Sequence, residues 1–129
     1  MSTKLNEGNS VVTVIIEVSY EKDTETIEEF IKEEQTPFIF EQDVSSLKRF
    51  EWFLDRDNKS GTLIEVFADA DGITEAAGKV MGTPVNPKFR DLFEIEKMTI
   101  LGNISDELRE QFAALGPTIR SYAAGFSIA

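Results

Sequence analysis

Apolar and polar positions alternate between Leu47 and Asp69 in a way that predicts two strands joined by a turn. Phe50, Trp52 and Leu54 occupy every second position before the turn, and apolar residues recur at every second position after it. A polar cluster of Asp, Asn and Gly between two such runs is typical of a β-hairpin.

The patterns on either side of the hairpin complete the order β-α-β-β-α-β. The predicted elements are strand 11–19, a helix beginning at 24, the hairpin 47–69, helix 71–81, a short helix beginning at Asn86, and strand 96–101. Pro37 should bend or stop the first helix, because proline disfavours helical geometry at the residue before it. This order predicts a ferredoxin-like α+β fold with an antiparallel sheet.

One domain is expected for the whole chain, 1–129, because this length suits a single core. Its core would be residues 11–101, and residues 102–129 would form a C-terminal extension. Within the extension, residues 105–115 have a serine cap and a terminal Gly-Pro pair, which predict another helix. The weakly charged tail after Pro117 is expected to dock on its own or a partner subunit.

The four core strands present two faces, which we assign from the alternation within each strand. One face is expected to be wholly apolar and to contact the helices. The other is expected to expose large apolar groups, namely Ile15, Phe53, Leu63 and Phe67. A contiguous exposed apolar patch usually marks an interface, so this face predicts a homodimer.

Five charged residues are assigned to the same mixed face: Glu17, Arg49, Glu51, Glu65 and Lys97. Ion pairs across the dimer interface are the expected role, and binding of a polar ligand is an alternative. The three carboxylates would also suit a divalent cation, but the neighbouring Arg and Lys disfavour one. We therefore expect no metal site.

Composition excludes several classes of function. The net charge of -11, from 24 acidic and 13 basic residues, repels phosphate backbones, so no nucleic-acid partner is expected. The absence of histidine and cysteine leaves carboxylates, amines and hydroxyls as candidate catalytic groups. No apolar run approaches the roughly 18 residues of a membrane span, so we expect no membrane partner and a cytoplasmic location.

Glu34 is the most unusual position of the first predicted helix. At ~100° per residue it falls within the apolar stripe formed by Ile27, Phe30 and Ile31. A carboxyl group in apolar surroundings has a raised pKa and can act as a general base. The alternative is that Pro37 unwinds the last turn, which would let Glu34 reach solvent.

The hairpin sequence RFEWFLDRD, followed by GTLIEVFAD, resembles antibiotic-biosynthesis-monooxygenase-like domains of the dimeric α+β barrel superfamily. The resemblance covers residues 11–101 and implies a dimeric α+β barrel with a substrate pocket between helices and sheet. Members include cofactor-independent monooxygenases of polycyclic or quinol-like aromatics, and haem-degrading enzymes. Many members carry a His where this chain has TPVNPKFRDLF, and the haem-degrading branch uses an axial His that this chain lacks.

A ligand site is accordingly expected between the helices and the apolar face, with Glu34 as the catalytic base. The other predicted ligand-binding residues are Phe30, Phe38, Trp52, Asn86, Phe89 and Phe93. Aromatic side chains would provide a planar apolar slot for an aromatic ligand. Two of these residues have simpler alternatives, because Trp52 suits a core and Asn86 suits a helix cap.

Two classes of function remain open. One is a cofactor-independent monooxygenase acting on a small aromatic or quinol-like substrate, as the resemblance implies, with no cofactor. The alternative is a non-catalytic homodimeric barrel that binds a small hydrophobic ligand or serves only assembly.

Overall fold

A single five-stranded sheet forms the framework of the computed structural model, which describes residues 5–80 and 82–128. The strands are β1 (Val12–Ser19), β2 (Leu47–Asp55), β3 (Ser60–Phe67), β4 (Glu94–Leu101) and β5 (Thr118–Arg120). Their order across the sheet is β2-β3-β1-β4-β5, and all neighbours are antiparallel except β4 and β5. The first four strands have the ferredoxin-like arrangement, so the predicted fold class is confirmed, whereas β5 is a strand that the sequence did not predict.

The helices cover one face of this sheet. They are α1 (Thr24–Glu29), α2 (Thr36–Glu41), α3 (Asp71–Val80), α4 (Val85–Leu92) and α5 (Asp106–Phe112). A π-helical segment, Phe30–Gln35, joins α1 to α2, so the chain stays helical past Pro37 as far as Glu41. The predicted end of the third helix at Met81 lies outside the described residues.

The hairpin pairing puts the residues of β3 on the opposite faces from those that the alternation predicted. Asp55 pairs with Ser60 across a four-residue loop, and this register puts Phe50 opposite Glu65. Because directly paired residues share a face, Glu65 lies on the helix-covered face of β3. Its neighbours on that face of the strand are Leu63 and Phe67.

The predicted exposure of Leu63, Glu65 and Phe67 is therefore wrong, and their place is taken by Ile64 and Val66. Phe67 is only 2% exposed. Both alternating sets of this strand contain large apolar residues, so alternation alone could not distinguish the two faces. Loop length determines which set of residues faces the helices, since a shift of one residue reverses every side chain.

Two groups of buried side chains form the core between sheet and helices. The first surrounds the middle of the sheet and contains Val12, Val14, Phe67, Ile73, Met98, Ile100 and Leu108. The second lies beneath the first helical run and contains Val18, Tyr20, Ile27, Phe30, Ile31 and Phe93. Helix α5 belongs to the first group through Leu108, so the C-terminal extension packs on the domain core.

The C-terminal tail and the N-terminal segment contact each other. The backbone N–H of Asn6 donates to the carbonyl of Gly125 at 2.7 Å, and the Asn6 side chain accepts from the Gly125 N–H at 3.0 Å. The N–H of Gly102 donates to the carbonyl of Arg120 at 2.9 Å, which ties β5 to the end of β4. Leu115, in the turn after α5, is 48% exposed.

Gly72 at the start of α3 leaves no room for a larger residue. A Cβ atom there would lie 1.5 Å from Ser46 Oγ, 2.8 Å from Ser46 Cβ and 3.1 Å from a ring carbon of Phe67. Gly72→Ala should lower the free energy of unfolding by about 1–3 kcal/mol, because Ser46 and the ring of Phe67 must move to make room for the methyl group. Urea unfolding monitored by circular dichroism measures this change.

Gly78 in the same helix provides the matched control. A Cβ there would meet no atom within 4 Å. Gly78→Ala should raise the free energy of unfolding by about 0.5–1 kcal/mol, because alanine is the better helix former. Equal effects of the two substitutions would contradict this description of the packing between α3 and the loop before β2.

Candidate functional site

A cavity of about 500 Å³ lies between the helices and the apolar face of the sheet. Cavities of that volume are typical of small-molecule sites. Most of its wall is apolar, and the sheet contributes Val14, Ile16, Phe50, Leu63, Phe67 and Met98. Helices α3 and α4, together with α5 and the turn that follows it, supply the opposite wall.

Glu65 is a charged residue in the middle of the sheet wall of this cavity, and Glu94 lines the cavity at the start of β4. The paired neighbours of Glu65 are Val14 on β1 and Phe50 on β2, which also line the cavity. Within the described part of the chain, no hydrogen bond or ion pair to the Glu65 carboxyl is found. Burial alone raises the pKa of the Glu65 carboxyl to about 7. A carboxyl with such a pKa can accept and release protons near neutral pH.

The Glu65 side chain is only half-buried by surface area, and the accessible part belongs to the cavity wall. Ligand binding would remove that remaining surface from water. An apolar ligand should therefore raise the pKa further, whereas a hydrogen-bond donor on the ligand should lower it.

Gln35 places an amide beside the same cavity. The π-helical segment buries Gln35, and its Oε1 accepts a 2.8 Å hydrogen bond from the indole Nε1 of Trp52. An indole N–H can only donate, so this bond fixes the orientation of the amide. No hydrogen bond from the Gln35 amide nitrogen occurs among residues 5–80 and 82–128, which leaves it available to a ligand oxygen.

Phe93 is the centre of an aromatic cluster at one end of the cavity. Its ring stacks on Trp52 with centroids 5.1 Å apart, and the Phe89 centroid lies 4.9 Å away. Tyr20 and Phe30 contact the same ring, each with a centroid separation of 6.2 Å. Rings held on several sides in this way form a rigid wall for a planar ligand.

The structure brings three of the six predicted ligand-binding residues into the cavity wall: Asn86, Phe89 and Phe93. Trp52 and Phe30 lie behind this wall and hold Phe93 in place. Phe38 is half-buried in α2 and is not among the lining residues.

Glu34, the predicted catalytic base, lies outside the cavity wall. Its side chain is 43% exposed and forms an ion pair with Lys88 at 2.6 Å. The reason is the π-helical segment, in which each turn contains about one residue more than an α-helical turn. That extra residue puts Gln35 at the buried position above Phe30, where an α-helix would have put Glu34.

Sequence reasoning missed Gln35 and misplaced Glu65. The four-residue turn 56–59 was the signal for Glu65, because it pairs Asp55 with Ser60 and makes Glu65 a cavity residue. No comparable signal identified Gln35, since a π-helical turn has no reliable sequence signature. Trp52 was the nearest clue, because a buried indole N–H needs an acceptor.

The three carboxylates considered as metal ligands do not meet. Glu17 and Glu51 belong to the outer face of the sheet, whereas Glu65 faces the helices. Across the described residues, no group of three or more acidic side chains is arranged to hold a metal ion. No helix within those residues is long and apolar enough to cross a membrane.

The raised pKa of Glu65 makes stability depend on pH. Below about pH 4.5 the Glu65 carboxyl is protonated in both the folded and the unfolded chain. Folding then buries no charge at this position, so Glu65 does not lower the free energy of unfolding. As pH rises from 4.5 to about 7, the unfolded chain loses this proton first, and the free energy of unfolding falls. Glu65→Gln should remove this loss and become more stable than wild type at about pH 8, by at most about 3 kcal/mol.

Thermal unfolding between about pH 4 and pH 8 measures this difference. The advantage of Glu65→Gln over wild type should grow with pH. Glu75→Gln is the matched control, because Glu75 is exposed and pairs with Lys79. An advantage that is constant with pH, or equal in the two variants, would contradict the assignment.

Comparison with known proteins confirms the fold. No protein-family model matches the sequence, and no curated protein matches it. MupZ from Pseudomonas fluorescens is similar in structure, with a TM-score of 0.78 and 17% identity over 93% of this chain and 96% of that one.

Two further solved structures share this architecture. SnoaB from Streptomyces nogalater, described as a cofactor-independent oxygenase, has a TM-score of 0.61 and 18% identity over 74% of this chain and 95% of that chain. A dimeric ferredoxin-like protein from an uncultured marine organism has a TM-score of 0.51 and 7% identity over 71% and 84%. At these identities the likeness establishes the fold alone, and the resemblance seen in the hairpin is confirmed at that level.

Proposed function

We propose that the protein is an enzyme that removes a proton from a small aromatic or quinol-like substrate, whose anion then reacts with molecular oxygen without a cofactor. The observation that carries this proposal is the unpaired carboxyl group of Glu65 in the wall of an apolar cavity. An unpaired carboxyl in apolar surroundings is costly for stability, and such costs are concentrated at functional sites.

Glu65 would act as the general base. Its carboxylate takes a proton from an acidic C–H or O–H group of the substrate. The electron pair left on a substrate carbon forms a C–O bond with oxygen, and the resulting peroxide anion takes up a proton to give a hydroperoxide. That carbon must carry a second hydrogen, which leaves in the next step. Loss of water leaves a carbonyl group on that carbon, so one oxygen atom enters the product and the other leaves as water.

Gln35 would stabilise the anion that forms. Its amide is oriented by Trp52, which leaves the NH₂ group to donate to a phenolate or enolate oxygen. A donor fixed in advance stabilises developing charge without further reorganisation. The rings of Phe89 and Phe93 would hold the planar body of the substrate beside these two polar groups.

The structural comparison supports the reaction class without identifying the substrate. SnoaB is described as a cofactor-independent oxygenase and has the same fold. A shared fold makes the same class of reaction more plausible, but the reaction must be argued from the residues of the site. In this chain those residues are Glu65 and Gln35, in place of the Glu34 that the sequence suggested.

The alternative is a non-catalytic protein that binds a small hydrophobic ligand in the same cavity. The exposed position of Glu34 favours it, because the only base predicted from sequence does not reach the cavity. Binding without oxygen consumption would distinguish this alternative from the enzyme.

We also propose that the outer face of the sheet forms a homodimer interface. Its apolar residues are Ile15, Phe53, Ile64, Val66 and Leu101. Phe53 and Leu101 are exposed, and Arg49 forms an ion pair with Glu51 beside Phe53. An apolar patch bordered by charges of both signs suits a self-complementary contact. A dimeric ferredoxin-like neighbour supports this assembly.

Activity should depend on Glu65. Oxygen consumption with a panel of phenols, quinols and anthrone-type compounds identifies a substrate for the wild-type protein. Glu65→Gln should then lower kcat by about 100-fold or more, because an amide cannot accept the proton. The wild-type rate should rise with pH through the pKa of Glu65, at about 7.

Glu34→Gln is the competing variant in the same assay. It should retain most of the activity, because Glu34 is paired with Lys88 at the surface. Loss of activity in Glu34→Gln with retention in Glu65→Gln would show that the catalytic assignment is wrong. Binding of the panel with no oxygen uptake would support the non-catalytic alternative.

Assembly should depend on Phe53. Phe53→Glu would put an unpaired charge into the proposed interface, so the dimer should dissociate. Phe40→Glu is the matched control, because Phe40 is 84% exposed on α2 and away from the sheet. Sedimentation equilibrium should show a dimer for wild type and Phe40→Glu but a monomer for Phe53→Glu. A monomeric wild-type protein at micromolar concentration would refute the interface.

A further inference from the structure

Three charged side chains line the cavity in the described part of the chain, and Arg90 is the one that carries a positive charge. The others are Glu65 in the sheet wall and Glu94 at the first residue of β4. Arg90 is exposed, and neither an ion pair nor a hydrogen bond from its guanidinium is found in the described residues. A guanidinium has five N–H donors and no acceptor, so this one can still bind a ligand anion.

Helix α4 positions Arg90 at the rim of the cavity. Asn86 lies one helical turn before it, and Val85 and Phe89 lie on the same side of the helix. Residues four apart share a helix face, so the amide of Asn86 and the guanidinium of Arg90 are presented together. Asn86 and Arg90 therefore lie at the edge of the cavity, next to its aromatic lining.

We propose that the cavity takes a ligand with an anionic group, a carboxylate on a planar apolar body, and that Arg90 binds this carboxylate at the rim. Arginine suits the role because its planar fork matches the two oxygens of a carboxylate. The apolar body would then extend inward against Phe89 and Phe93. This inference rests on the proposed function in that it takes the cavity to be the ligand site.

The charges around the cavity favour an anionic group at Arg90 and disfavour one elsewhere. A protein with a net charge of -11 repels anions over most of its surface. Glu94, and Glu65 when it is ionised, would repel an anion beside β4 or inside the cavity, so the Arg90 rim is the favourable place for the carboxylate. The same two carboxylates would favour a cationic ligand, and a cationic probe therefore belongs in the test.

Three naphthalene probes of similar size test the proposal: 2-naphthoate, 2-naphthalenemethanol and 2-naphthylmethylamine. Their dissociation constants are measured by calorimetry at about pH 6, where naphthoate is ionised and Glu65, with a pKa of about 7, is mostly protonated. Wild-type protein should bind the acid at least about fivefold more tightly than the alcohol, because a charge-assisted hydrogen bond adds to the same apolar contact.

Arg90→Gln should reduce that preference to about one, with the affinity for the alcohol changed less than about twofold. Lys88→Gln is the matched control, because Lys88 lies on the same helix, carries the same charge and pairs with Glu34. This control should keep the preference for the acid.

Several outcomes overturn the proposal. Equal binding of acid and alcohol to wild type, a preference that survives Arg90→Gln, or tightest binding of the amine would each refute the anionic ligand while leaving the cavity as the ligand site. Loss of the preference in Lys88→Gln to the same extent would show a general charge effect and also refute the role of Arg90. Failure of all three probes to bind would refute both this inference and the proposed function.

Discussion

The pairing of β2 with β3 is the constraint on which the site depends. With Asp55 opposite Ser60, the residue opposite Phe50 is Glu65, and the carboxyl group faces the helices. A shift of one residue would bury Ile64 and Val66 instead, and the apolar face of β3 would lose its acid. The hairpin register therefore determines whether this sheet carries an acid in its apolar face, and burial of that acid raises its pKa.

The π-helical segment determines in the same way which helical side chain faces the cavity. The π-helical segment turns Gln35 toward the cavity and Glu34 toward Lys88 at the surface. The indole of Trp52 then holds the Gln35 amide by a single hydrogen bond. Both polar groups of the proposed site are thus placed by a departure from the simplest strand or helix geometry, while the aromatic wall around Phe93 follows from ordinary packing.

These two departures explain how far the sequence could predict the structure. The order of elements and the aromatic contributions of Phe89 and Phe93 were predicted, because apolar periodicity reports which residues are buried. The acid was misplaced, since both faces of β3 look apolar in sequence and loop length distinguishes them. Glu34 was favoured over Gln35 because a stripe drawn at ~100° per residue assumes an unbroken α-helix.

Glu65 is an uncompensated carboxyl in an apolar cavity, and its titration tests this assignment most directly. The carboxyl carbon of Glu65 can be followed by ¹³C NMR across the pH range and assigned by its absence in Glu65→Gln. Our account predicts a midpoint at about 7. A midpoint near the ordinary value of 4.5 would mean that the group is solvated or paired, and would contradict the account.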